Sequence, residues 1–567
     1  MSIAKLMGAV VALALLLAAP AHADDLLGLP CSDQPDGTRV CAGDATHRIP
    51  SFDGVPLDAN IVLPPTGTAG PFPLVVFSPG FGVGKNSVPS SIVALAARGY
   101  AVLTYSPRGV GNSCGDTNDP DPACSNGYAR LADVRYDARD IQQLAGLLTD
   151  AGVTSPNRIG VAGQSEGGAV ALELAALKDR VVNTDYAVSP WTSPGGTPMA
   201  IAAAAPSWGW SDMASSLVPN GRQLDYAVDN LYSRYIGMPK AGFFGIIYLL
   251  ATQNGRVTPG GGDFTADIAG WAAQFLGTGE PYSATHAGII YELERHHSAY
   301  RLDTLPGWQK EQPAAIFADN AWNDDLAGPM EMLVYRNKVL KAFPNAEFDL
   351  LFSAGAGDPR ATSGNVTPDL GTLQTQFFDR TLLGAQGSPL GVRTFTQGCA
   401  GSTTQGPFDT STWTAQHPGE VRYYQPAQEH VLSTAGSGLS AQTDPFSGAQ
   451  HGGCVTTGDG DEQGAAEYRL PRARSGYTIL GSPTVRAEIS SASQQAQLDV
   501  RLWDVAPDGT QAFITRVAFR PKYPPTPGPQ VFQLNPAGWQ VAAGHRLKLE
   551  LVGQDAPYVK TANEAFN

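Results

Sequence analysis

In its first third the chain repeats one local pattern three times. A short apolar strand runs straight into a glycine-rich turn and then into helical sequence: PLVVFSPGFG (73–82), YAVLTYSPRGVG (100–111) and NRIGVAGQSEGG (157–168). SSIVALAARG (90–99) and DARDIQQLAGLLTDAG (137–152) supply the intervening helices. Strands that are apolar on both faces need cover on both faces, so the pattern predicts a parallel sheet between two layers of helices. Its functional loops belong at the carboxyl ends of the strands. Ahead of it, Asp53-Gly54 within RIPSFDGVPLDANIVLP (48–64) reads as a hairpin turn.

The rhythm breaks between about 183 and 310, where Trp, Gly, Ala and Pro accumulate around helical pieces such as DYAVDNLYSRYI (225–236) and FTADIAGWAAQFL (264–276). With no clear strand there, the interval is expected to be a helical cap lying over the strand ends. PAAIFADNAWNDD (313–325) and NAEFDLLFSAGAGD (345–358) resume the strand-to-loop pattern, and LGTLQTQFFDRTLLG (370–384) looks like a closing helix. Beyond about 391 the chain is dense in turns. TVRAEIS (484–490), AQLDVRLWDV (496–505) and HRLKLELVG (545–553) alternate with period two, which predicts an antiparallel β-sandwich. The expected division is therefore 24–182 and 311–390 for one interrupted α/β domain, 183–310 for the cap and 391–567 for the β domain.

Several function classes fall away. The 37 Lys+Arg against 52 Asp+Glu give 37 − 52 = −15, without basic clusters, so nucleic acid is not expected as a partner. Lys5, the apolar stretch Leu6 to Ala19 and Ala21-His22-Ala23 predict a cleavable signal peptide over 1–23 and a secreted chain. AGFFGIIYLLA (241–251) is too short to span a bilayer, so no membrane span is expected in the mature chain. Six cysteines in an exported chain suggest disulfides, and the most local pairing is Cys31–Cys41, Cys114–Cys124 and Cys399–Cys454. No C-x-x-C occurs, and the acidic groups Asp116/Asp119/Asp121 and Asp459/Asp461/Glu462 lack EF-hand spacing; neither a metal nor a cofactor is expected.

The chemistry lies in a G-x-S-x-G that occurs twice. Ser113, in Gly111–Gly115, precedes a loop and reads as structural. Ser165, in Gly163–Gly167, follows the strand RIGVA and precedes the helical AVALELAAL, the strand–turn–helix setting of a nucleophile elbow. Its helix start offers N–H donors to an oxyanion, and the Gly80-Phe81-Gly82 turn offers another; the backbone amides of Phe81 and Glu166 are the candidates. The Glu166 carboxylate must then face away from the developing charge or meet a cation. Trp208, Trp210, His296 and His297 in the cap are candidate substrate-pocket residues.

FDGVPLDANIVLP (52–64), GFGVGK (80–85), RGVGNSCG (108–115), GQSEGG (163–168), WNDD (322–325) and the C-terminal TVRAEIS…LDVRLWDVAPDG together resemble the cocaine esterase and X-prolyl dipeptidyl-peptidase family of α/β-hydrolases. The resemblance implies an α/β-hydrolase core, a helical cap and a C-terminal jelly roll. It also implies Ser-Asp-His cleavage of acyl esters or Xaa-Pro amides without a cofactor, on a small ester or peptide substrate. It places the triad acid at Asp324, with Asp325 beside it; a helix N-cap is the other reading of Asp324. Where relatives carry G-H-x-R, this chain has Gly357-Asp358-Pro359-Arg360, so Asp358 stands at the histidine position. A carboxylate, with a reference pKa near 4 against roughly 6.5 for histidine, is a much weaker base toward a serine hydroxyl. Impaired catalysis is expected unless His417, His430, His451 or His545 substitutes. The competing reading is a non-catalytic pseudo-hydrolase that binds a ligand or protein.

Overall fold

The computed structural model describes residues 25–228, 235–354, 370–398, 404–425, 432, 439–444, 455–491, 493–524 and 528–562. An eleven-stranded sheet organises the first two thirds of the chain. Cys31–Asp33, Arg39–Ala42 and Ala59–Leu63 form an antiparallel edge. Ala59–Leu63 then pairs antiparallel with Ala101–Tyr105, where a parallel run begins. The run continues through Phe72–Ser78, Thr154–Gln164, Ile201–Ser207, Ala315–Ala321, Phe348–Ser353 and Val392–Thr394. Phe408–Thr410 closes the far edge antiparallel. As the sequence predicts, the central strands are buried on both faces. Asp137–Asp150 and Glu166–Leu177 pack on one side, and Ser90–Val93 and Leu370–Leu383 on the other. The predicted hairpin pairs Ile49–Pro50 with Pro56–Leu57, with Gly54 at φ +85°.

Two strands lie where the sequence showed only cap: the short Val188–Pro190, paired with Arg180–Val182, and a strand of the main sheet. Ile201–Ser207 (IAAAAPS) sits in the middle of the parallel run, between Thr154–Gln164 and Ala315–Ala321. Its alanines carry weak strand propensity. Ala203 and Ala205 nevertheless share a core with Phe317, Phe377 and Phe378, so tertiary packing overrides the local signal. The helices Ala241–Asn254, Ile268–Ala272 and Ala284–His296 follow this strand. The sheet also reaches past 390, through Val392–Thr394 and Phe408–Thr410.

The C-terminal region is all-β. Five antiparallel strands run in the order Thr456–Gly458, Thr510–Phe519, Leu498–Val505, Arg546–Val552 and Ala466–Arg469. The pairs Tyr477–Gly481/Ala537–Val541 and Thr484–Ala487/Gln530–Gln533 pack with them around Leu498, Val500, Ile514, Phe532 and Trp539. The period-two pattern is present, but its polar face is not solvated: Arg501, Lys548 and Glu550 are all fully buried. Two disulfides match the local pairing, Cys31–Cys41 and Cys114–Cys124. Cys399 and Cys454 lie outside the described residues. No helix among the described residues is long and apolar enough to cross a membrane.

Candidate active site

Ser165 stands between the strand Thr154–Gln164 and the helix Glu166–Leu177, with φ +55° and ψ −119°. A non-glycine residue at positive φ is costly and persists only where its surroundings fix it. Here the glycines fix it. A Cβ on Gly163 would sit 2.1 Å from the Gly167 carbonyl oxygen, and one on Gly167 would sit 2.0 Å from that of Ser78. The Ser165 N–H donates to the Ser207 carbonyl at 3.0 Å, and the Ser165 carbonyl accepts from Ala169 at 3.0 Å. The result is a tight reversal that leaves the serine partly exposed above the sheet.

The Gly80–Phe81 turn lies against it: a Cβ on Gly80 would be 3.4 Å from Ser165 Cβ and 3.9 Å from Oγ. A methyl there would make ordinary van der Waals contact with the serine, so little room is left for anything longer. Neither the Phe81 nor the Glu166 N–H is engaged by an acceptor among the described residues. The Glu166 side chain turns away. Its Oε1 accepts the Ala132 N–H at 2.8 Å, and burial, helped by nearby Asp137, holds its carboxyl well above the usual range. A neutral carboxyl there does not oppose an oxyanion, and no cation is needed. The second G-x-S-x-G is structural: Ser113 is buried, donates to the Ser106 carbonyl at 2.7 Å and accepts from the Asp58 N–H at 2.8 Å.

Asp324 follows the strand Ala315–Ala321 and is buried. Its Oδ1 accepts the N–H groups of Leu326 and Ala327, both at 2.9 Å, so it holds its own turn. The next helix starts only at Pro329, with Gly328 as its N-cap. The Lys240 ammonium donates to the carbonyls of Asp325 (2.5 Å) and Leu326 (3.0 Å). Burial lowers the Lys240 pKa to about 8 against the opposing pull of Glu331, Asp325 and Asp324. Trp322 Nε1 donates to the Phe395 carbonyl at 2.7 Å. From the β domain, Arg516 Nε lies 3.6 Å from Asp325 Oδ1, while its Nη1 pairs with Asp555 at 3.0 Å. Sequence reasoning missed Lys240 and Arg516, since nothing local marks either.

The base position, Asp358, lies outside the described residues, as do His430 and His451. His545 pairs with Asp504 at 3.0 Å within the β domain, and the His417 ring meets Trp413 edge-on. The cap histidines are buried and engaged by neighbouring groups. His297 is fully buried and its Nδ1 donates to the Leu131 carbonyl at 2.8 Å; His296 Nδ1 bonds Glu292 at 2.8 Å. Glu292, Asp133 and His297 are close enough to suggest a metal site. Arg135 already fills that place, bonding Asp133 at 2.6 Å and Glu292 at 2.5 Å. Trp210 is also buried, donating to the His297 carbonyl at 3.0 Å. These residues join the cap to the 131–135 loop because buried charges need partners. Trp208 behaves differently. At φ +38° it lines a cavity of about 170 Å³ at the strand ends, together with Gly163, Gln164, Ser207, Asp319 and Gln374.

Residues 53–197 match the family model described as X-Pro dipeptidyl-peptidase (S15 family), and residues 400–565 match that of the X-Pro dipeptidyl-peptidase C-terminal non-catalytic domain. No curated protein matches the chain by sequence. Among solved structures, it is similar to an aminopeptidase from a marine sediment Thaumarchaeota archaeon, with a TM-score of 0.59 at 15% identity over 96% of this chain and 92% of that one. An α-amino acid ester hydrolase gives 0.56 at 16% identity, covering 97% and 94%. A CocE/NonD family hydrolase from Staphylococcus aureus gives 0.52 at 12%, covering 94% and 90%. The fold is that of an α/β-hydrolase with a separate all-β C-terminal domain, and the resemblance read from the motifs holds in both segments.

Proposed function

We propose that this hydrolase of the S15/CocE kind is an exported serine enzyme that cleaves acyl ester or Xaa-Pro dipeptidyl amide bonds through an acyl-enzyme on Ser165. The observation that carries the reading is Ser165 itself, held at positive φ by interlocked glycines at a strand end with the Gly80–Phe81 turn beside it. In the proposed reaction Ser165 Oγ gives up its proton and attacks the carbonyl, and the Phe81 and Glu166 N–H groups receive the oxyanion. The ester or amide bond breaks as the alcohol or amine leaves with that proton, and water then releases the acyl group as the acid. Asp324 is the acid of the site. Asp358, at the base position, makes the proton transfer slow. Related active sites that lose a triad member keep roughly 10³–10⁴-fold acceleration over water, so turnover is reduced and not abolished. The neighbours named as an aminopeptidase and an α-amino acid ester hydrolase support both substrate classes without choosing between them. Two disulfides are compatible with export, and the mature chain should begin at Asp24, which amino-terminal sequencing of secreted protein would test.

The decisive experiment combines a fluorophosphonate probe with turnover of p-nitrophenyl acetate and an Xaa-Pro p-nitroanilide. The native chain should be labelled and Ser165→Ala should not. Asp358→His should raise turnover by about 10³-fold or more. If the native and Asp358→His chains are both inactive and Ser165 resists the probe, the pseudo-hydrolase reading replaces this one.

A further inference from the structure

The strand ends carry an ionisable group that the proposed chemistry does not use. Asp319 lies within the strand Ala315–Ala321, in register with Ser207 on the neighbouring strand, which is in turn in register with Gln164. Alternate residues of a strand point to opposite faces and registered neighbours share one. Gln164, Ser207 and Asp319 therefore form a polar row across one face of the sheet, which begins at the residue that precedes Ser165. The row faces the helix Leu370–Leu383, where Gln374 Nε2 donates to Ser207 Oγ at 3.4 Å.

Asp319 is 3% exposed, and its Oδ1 has no hydrogen-bond partner among the described residues. It lines the 170 Å³ cavity, far more space than the roughly 10–15 Å³ that one water occupies on a comparable measure. Phe77, Ile92, Ala162 and Leu370 provide apolar walls, and Trp208 an aromatic face. Asp319 is the single ionisable side chain among the described lining residues. An unpaired carboxyl in such surroundings is costly, and a donor arriving from outside removes the cost.

These features discriminate among ligands. One carboxylate without a second acidic or imidazole group is a poor metal site. An anion would be repelled. A primary ammonium on a short apolar body matches each wall: charge-assisted hydrogen bonds to Asp319, further acceptors on Gln164, Ser207 and Gln374, apolar cover for the body, and the Trp208 ring for the cation. We propose that the Asp319 cavity is a binding site for a small primary amine, separate from the Ser165 hydroxyl and its oxyanion donors. The amine could be a free molecule or the amino group of an acyl substrate; the chemistry recognised is the same.

The test uses the full chain. Butylamine and benzylamine are titrated calorimetrically against native protein and Asp319→Asn, with butanol and benzyl alcohol as uncharged counterparts. Native protein should bind the amines and not the alcohols, and Asp319→Asn should weaken amine binding by about tenfold or more, the scale of one charge-assisted contact. Burial raises the Asp319 pKa to about 7, so the carboxylate form, and with it amine affinity, should grow as pH rises from 6 to 8. That pH profile on native protein stands even if the variant folds poorly. Equal amine affinity in native and variant, amine and alcohol binding alike, or no binding up to about 50 mM, where ordinary water would suffice to fill the space, overturns the proposal. A second arm distinguishes the sources: Asp319→Asn should raise KM for phenylalanine methyl ester but not for methyl 3-phenylpropionate if the amine belongs to substrate, and should change neither if it is free. Calorimetry needs no turnover, so an inactive enzyme would count against the Ser165 reading and leave this one standing.

Discussion

The two halves of the candidate site are held by different physics. Ser165 is fixed by backbone sterics within one short segment and the strand beside it: Gly163 and Gly167 approach neighbouring carbonyls so closely that no Cβ fits. Asp324 sits on a turn held from three directions, by its own side chain, by Lys240 of the cap and, through Asp325, by Arg516 of the β domain. The first arrangement is rigid because its alternatives are sterically forbidden. The second depends on buried charges from parts of the chain far apart in sequence, and can be loosened one partner at a time. The β domain, matched to a non-catalytic family model, thus still reaches the turn that carries Asp324 and Asp325.

The largest effect should come from breaking the steric half. In Gly167→Ala the new methyl must displace the Ser78 backbone, from which it would stand 2.0 Å. Overpacking ordinarily costs about 1–3 kcal/mol, and a clash with backbone lies at or beyond the upper end. Denaturant melts should show a loss of that size or failure to fold, together with loss of Ser165 labelling. Normal stability and labelling would mean that the elbow tolerates a rearrangement this geometry forbids.

Arg516→Met probes the networked half. It removes one of the two arginines on Asp555, whose other partner is Arg501 at 3.0 Å, and a cation near Asp325, while keeping a long apolar stem; the cost should therefore stay below the about 3–5 kcal/mol of breaking an isolated buried pair. If the acid turn depends on this brace, kcat for ester turnover should fall with KM little changed, while fluorophosphonate labelling is retained. A loss of stability with unchanged kcat would confine Arg516 to domain docking.

The same contrast explains what could be read in the sequence. The elbow was legible because its requirements are local: two glycines, a serine, a preceding apolar strand and a following helix. Asp324 was legible as the acidic residue after a late strand, though not as the group that caps its own turn. Lys240 and Arg516 left no local trace, since a buried cation is recognisable only from partners the fold brings to it. The cap histidines misled for a related reason. A histidine pair in a cap suggests chemistry, but Glu292, itself bonded by Arg135, and the Leu131 carbonyl already engage it. Asp319 had a signal that went unused, an acidic residue inside the mostly apolar strand AIFADNA. The strand Ile201–Ser207 was invisible because alanine marks small space, not strand, until Phe377 and Phe378 are seen packing there.

The smallest effect on stability separates the two roles of Asp324 itself. As a turn cap it uses Oδ1 to accept two N–H groups, and an asparagine carbonyl oxygen can accept the same pair. Asp324→Asn should therefore cost little, whereas Asp324→Ala should lose about 1 kcal/mol, the usual value of a side-chain cap. Catalysis should respond in the opposite proportion. If Asp324 is the acid of the site, the Asn variant loses the negative charge that a positively polarised base requires, and activity should fall in Asn and Ala alike. The more discriminating background is Asp358→His, where the acid has an imidazole to orient and stabilise. There Asp324→Asn should cost up to about 10⁴-fold, the effect seen when a triad carboxylate becomes an amide. In the native Asp358 background the same change should cost much less, because a carboxyl at the base position gains nothing from a second negative charge. Equal losses in the two backgrounds would show that Asp324 acts only through its turn, and that the networked half of the site shapes the protein without entering the chemistry.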